Sequence, residues 1–116
     1  MQQQGERRAD SPGGEDDLTG TERLVTAILD HRVVRLRYHD RERIIEPHLL
    51  GLHDAGEPML IAYQTGGASQ SGDLPGWRTF LTTSIDDVEI TDGRFPGPRR
   101  DLDVAAHSMI EIFARA

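Results

Sequence analysis

Three residue types are missing from this 116-residue chain: cysteine, lysine and asparagine. Without cysteine there are no disulfides, no thiolate-rich zinc site and no cysteine nucleophile, and nothing points to an oxidising compartment. Without lysine, all thirteen cations are arginines, whose planar guanidinium suits bidentate contacts. The parallel lack of asparagine makes codon bias the simpler source of that count. Long apolar runs are also missing, since no uninterrupted aliphatic stretch exceeds three residues. Neither a signal peptide nor a membrane helix is therefore expected, and the chain is expected to stay in the cytoplasm, away from membranes.

What is present is mostly acidic. The formal net charge of −7 argues against non-specific nucleic-acid binding, in which cations neutralising phosphates supply most of the affinity. The charge is unevenly spread. Residues 1–17 hold five acids and two arginines, and residues 86–116 hold seven acids and four arginines, whereas residues 32–48 hold five arginines and three acids. A basic island thus sits between acidic flanks. Its bland reading is a solvated face, with Arg35, Arg37 and Arg41 alternating outward and pairing with Asp40, Glu42 and Glu46.

The length allows one domain. Residues 1–18 are rich in Gln, Gly, Pro and charge, and read as a disordered polar tail. Thr19-Gly20-Thr21-Glu22 has capping-box spacing, followed by Leu24, Val25, Ile28 and Leu29 as one stripe of a helix. From Val33 the period changes to two, with Val34, Leu36 and Tyr38 on the buried face. Asp40-Arg41 reads as a tight turn into a second strand, where Pro47 implies an edge or a bulge. A turn at 54–56, a third strand at Met59–Tyr63, a fourth around Leu81 and a fifth at Val88-Glu89-Ile90 follow. The polar connection 65–76 reads as a binding loop or slack. Residues 101–116 fit a helix or a final strand over 109–114; a short turn near Ala105 and then a strand is the preferred reading. One helix and five short strands predict a mainly β protein, a small closed or half-closed barrel over residues 19–98, with 99–116 packing on it as an extension.

Enzyme signatures do not stand out. His39, His48 and His53 have no zinc-site spacing, so no metal or cofactor is expected. Asp101, His107 and Ser108 lack a nucleophile elbow, and the Gly-rich loop lacks the lysine of a P-loop.

The run LVTAILDHRVVRLRYHDRERIIEPHLLG, then MLIAY, then WRTFLTTSIDDVEI and Arg94-Phe95, resembles the WYL domain family, bacterial ligand-sensing modules with an Sm-like, SH3-type barrel. The most specific pieces are the strand ending at Tyr38, the Glu46-Pro47 pair, and Trp77-Arg78-Thr79-Phe80. The tripeptide that names the family should fall near Pro58-Met59-Leu60, where only the leucine is present. The resemblance implies a non-enzymatic, stand-alone domain that binds an anionic effector, a nucleotide or short single-stranded nucleic acid, and regulates transcription through a protein partner. By position it implies Tyr38, Arg43, His48, Arg78 and Phe80 as ligand-binding residues. Arg78 and Phe80 share a strand face, so a guanidinium gripping phosphate beside a stacking ring fits the pattern. Residue type alone makes Phe80 and Tyr38 core residues. The rival expectation is a homo-oligomerising or protein-binding barrel with a degenerate ligand site, using the apolar C-terminal stretch MIEIF.

Overall fold

The structure, a computed structural model, describes residues 19–54, 56–68, 73–103, 107 and 109–116. The tail expected over 1–18 and the turn expected near Ala105 lie outside them; Thr19 is described and caps the first helix. That helix, α1 (Gly20–Leu29), starts as its sequence dictates: the Glu22 amide donates to the Thr19 hydroxyl, and the Thr19 amide donates to the Glu22 carboxylate. The reciprocal pair satisfies two backbone donors that a helix start leaves open. Its buried stripe is Leu24, Ala27 and Ile28. Leu29, expected in that stripe, is 65% exposed, because the i, i+3, i+4 spacing selects Ala27 instead.

Six strands follow: β1 (Arg32–Tyr38), β2 (Arg41–His53), β3 (Pro58–Gly67), β4 (Gly76–Leu81), β5 (Ile85–Arg94) and β6 (Met109–Arg115). They form one antiparallel sheet in the order β4-β3-β2-β1-β5, with β6 pairing separately with β2. The ladder ends at β4 and β5, so the sheet is not closed into a barrel. Residues 82–84 form a 3-10 turn rather than continuing the strand expected there. β3 runs on to Gly67, which takes the start of the expected long loop into the sheet. The C-terminal segment is a strand, as preferred from its sequence, and lies along β2 from Leu49 to His53. Among the described residues no helix is long and apolar enough to cross a membrane.

The first hairpin turns at His39-Asp40, one residue earlier than Asp40-Arg41, because Tyr38 pairs with Arg41. Both turn residues have positive φ, 52° and 61°, the backbone of a type I′ turn whose twist matches the flanking strands. β2 is the central element. It pairs with β1 as far as Ile45 and with β6 from Leu49 onward, keeping β3 on its other edge throughout. Pro47 falls in the gap where the neighbour changes, and a register shift sits between Pro47 and Leu49. The residue that donates no ladder bond thus stands where one edge has no neighbour. Side chains from α1 and from all six strands pack into one core, centred on Ile28, Val34, Ile45, Leu50, Leu60 and Phe80. Each such side chain contributes about 1.5–3 kcal/mol of burial.

Two substitutions test this framework. Asp40→Gly relieves a left-handed residue and is expected to stabilise the protein by about 1 kcal/mol, seen as a melting midpoint raised by roughly 4–8 °C. At Gly51 a Cβ would collide with the Glu111 carbonyl oxygen and press on the Ile112 backbone. Gly51→Ala should therefore loosen β6 and cost about 1–3 kcal/mol, measured by denaturant unfolding.

Candidate functional site

Directly paired residues share a sheet face, as do alternate residues along a strand. On the core-facing side this gives four rows: Val34-Leu36-Tyr38, Ile45-Arg43-Arg41, Leu60-Ala62-Gln64 and Phe80-Arg78-Gly76. The apolar members of these rows make the core. In register, Val34, Ile45, Gln64 and Gly76 stand across from one another; Arg43 and Tyr38 lie two and four residues beyond that line on β2 and β1, and Arg78 two residues to its other side on β4, near enough for its charge to act on Arg43. Arg41, expected on the outward face, stands instead across from Tyr38.

The basic island divides between the two faces. Outward-pointing Arg35 bridges Glu42 and Glu89 at 3.3 and 3.1 Å, and Arg37 pairs with Asp87 at 3.3 Å. Exposed pairs of this kind contribute little energy but satisfy charge. Arg43 differs from them. It is 4% exposed, its Nη2 donates to the Tyr38 carbonyl at 3.3 Å, and its Nε is buried without a partner among the described residues. No carboxylate pairs with it among the described residues. Burial pushes its pKa below the ordinary arginine value, and the charges of Arg41 and Arg78 push the same way while Tyr38 opposes them.

Around this cation the geometry is ordered by aromatic packing. Phe80 is buried and meets the Tyr38 ring edge-on, with centroids 4.8 Å apart. Its ring belongs to the core and supports Tyr38 from below. The Leu81 amide donates to the Tyr38 hydroxyl at 3.2 Å, and the Arg43 guanidinium carbon lies 5.6 Å from the Tyr38 ring centroid. Arg78 donates to the carbonyls of Trp77, at 2.8 Å, and Asp73. Its Nη1 lies 2.9 Å from where a Cβ of Gly76 would stand, so the glycine provides room for the guanidinium. Gly76 faces Gln64, a fully buried residue that sequence reasoning missed. The signal was there, in a glutamine at the inward position of the Leu60-Ala62-Gln64 alternation.

His48, grouped by sequence with these residues, lies elsewhere. The opposite face of β2, β3 and β4 carries Glu46, Tyr63 and Trp77, and residues 95–101 cross over it as a strap. Arg99 grips Glu46 through Nε at 2.9 Å and Nη2 at 3.3 Å, and its guanidinium carbon sits 3.7 Å from the Tyr63 ring centroid. The Trp77 indole donates to Asp101 at 3.0 Å. His48, buried at the bulge, stacks on Phe95 at 4.9 Å. Its Nε2 accepts from the Arg99 amide at 3.2 Å, so Nδ1 carries the hydrogen and donates to the Glu46 carbonyl at 2.8 Å. A cleft of about 680 Å³ opens beside the strap, lined by Glu46 and residues 96–101. Arg99, at this cleft, is held by a carboxylate, whereas Arg43, on the other face of the sheet, has none among the described residues. His39, His48 and His53 do not converge, and among the described residues no group of three side chains is placed to hold a metal ion.

Burial pushes the His48 pKa below its ordinary 6.5. As pH falls below that value the unfolded chain takes up a proton that the folded chain refuses, so stability declines between 6.5 and the folded pKa and is fully present above that window. The expected slope is at most about 1.4 kcal/mol per pH unit. His48→Phe should be less stable at pH 7.5 yet lack this part of the slope between pH 6.5 and 5 in denaturant titrations.

No family model matches the chain, and neither a curated protein nor a solved structure matches it.

Proposed function

We propose that the protein is a non-enzymatic, WYL-like sensor whose sheet corresponds to an Sm-like, SH3-type barrel. It binds an anionic, phosphate-bearing effector at Arg43, Arg78 and Tyr38, and passes that state to a protein partner that regulates transcription or another nucleic-acid process. The observation that carries the reading is Arg43: a buried guanidinium with an unpartnered Nε and other arginines for neighbours. A buried charge without a counter-charge costs several kcal/mol, and an anion that ion-pairs with it removes that cost. Exposed Arg41 lies at the rim of the same row, where it adds attraction for the incoming ligand. The strand order β4-β3-β2-β1-β5 and the 3-10 turn between β4 and β5 are compatible with a barrel module of this type.

One observation favours a second reading. Ile110, Ile112 and Phe113 on β6 are 63%, 41% and 45% exposed, an apolar surface that an interaction module would cover. The register shifts of β6 against β2 kink that strand, however, and a kinked edge is a poor template for pairing.

Arg43→Met separates the readings, because it keeps length and removes charge. The sensor reading expects wild type to bind cyclic nucleotides or short single-stranded oligonucleotides with salt-sensitive affinity by calorimetry. It expects the variant to lose at least about tenfold, from one charge-assisted contact of about 1.5–3 kcal/mol, and to be as stable as wild type or more so. Unchanged binding in Arg43→Met, or a salt-resistant oligomer that binds no anion, overturns it.

A further inference from the structure

Gln64 adds a requirement of the opposite polarity to the same site. Its side chain is fully buried. Its Nε2 donates to the carbonyls of Gly66 at 2.9 Å and Ala68 at 2.6 Å, which fixes the orientation of the amide. Swapping its oxygen and nitrogen would set an oxygen against two carbonyls. The remaining atom, Oε1, is therefore an acceptor, and it has no hydrogen-bond partner among the described residues. Along the rows it stands between the two guanidinium-bearing strands, since Gln64 pairs with Ile45, two residues from Arg43, and with Gly76, two residues from Arg78. Among the described residues, neighbouring strands β2 and β3 thus hold an unpartnered buried donor, Arg43 Nε, and an unpartnered buried acceptor, Gln64 Oε1. Such groups cost about 1–3 kcal/mol each until something satisfies them.

Resting on the proposed anion site, we infer that the effector is a small phosphate monoester carrying a neutral hydroxyl or amino group, whose hydrogen is donated to Gln64 Oε1 while its phosphate meets Arg43 and Arg78. A monoester fits better than a diester within a strand. Arg43 is only 4% exposed, so a terminal phosphate reaches it more readily than one flanked by nucleosides. A monoester also brings close to two negative charges at neutral pH to a set of three arginines. Sites built to accept a ligand's hydrogen discriminate strongly against analogues that lack it, because the acceptor then stays buried and unpaired.

The test is a calorimetric series on the full chain with methyl phosphate, glycerol 3-phosphate and ribose 5-phosphate as probes. At least one hydroxylated ester should bind tenfold or more tightly than methyl phosphate. Gln64→Leu and Gln64→Met should each abolish the preference, bringing that ester to the level of methyl phosphate measured on the same variant. Equal affinity across the wild-type series overturns the donor requirement while leaving the anion site standing, and needs no variant to fold. A preference that survives both substitutions overturns the assignment to Gln64. Absence of binding by all three esters overturns this inference, and the sensor reading falls with it when cyclic nucleotides and short oligonucleotides also fail to bind.

Discussion

The fold depends on the continuity of β2. This strand is hydrogen-bonded along one edge to β3 over nearly its whole length, and along the other first to β1 and then to β6. A straight strand would keep one neighbour on that edge. The irregularity at Pro47-His48 lets the chain change neighbours without leaving β3. The same irregularity carries His48 into a buried position, where it reaches Phe95, Trp77 and the Arg99 amide. Sheet topology, the seat of the strap and the inward row that includes Arg43 all follow from how β2 runs.

Electrostatics explains why an acidic protein gathers cations in one hairpin. Alternation sends Arg35 and Arg37 to the outer face, where acids of β2 and β5 meet them. The other parity sends Arg43 inward, to a place where neighbouring strands offer a tyrosine, a glutamine and another arginine. Among the described residues, acids balance the arginines on the outer side of the hairpin, whereas no carboxylate pairs with Arg43 on the inner side. An average over the island, +2 in formal charge for residues 32–48 from five arginines and three acids, hides that division.

Much of the fold was legible because it rests on local chemistry. The Thr19-Glu22 box, the inward Val34-Leu36-Tyr38 row and the edge or bulge implied by Pro47 are each written in a few adjacent residues. The site was legible only in part. Tyr38, Arg43, Arg78 and Phe80 do come together, but Phe80 does so as core, and His48 faces the strap instead. The bulge shifts the parity of everything beyond Pro47, and no count along the sequence fixes where a bulge falls. Gln64 was missed because a polar residue near a predicted loop looks solvated until β3 is seen to continue to Gly67. Arg41 was assigned to the wrong face through a turn placed one residue late, an error that inverts every side chain counted from it.

Trp77 and Arg78 are consecutive on β4, and so are Tyr63 and Gln64 on β3; in each pair one side chain serves the cation cluster and the other the strap. The two sides of the sheet therefore share a backbone only one peptide thick. The inward guanidinium of Arg78 and the outward indole that donates to Asp101 are thus carried by neighbouring residues of a single strand.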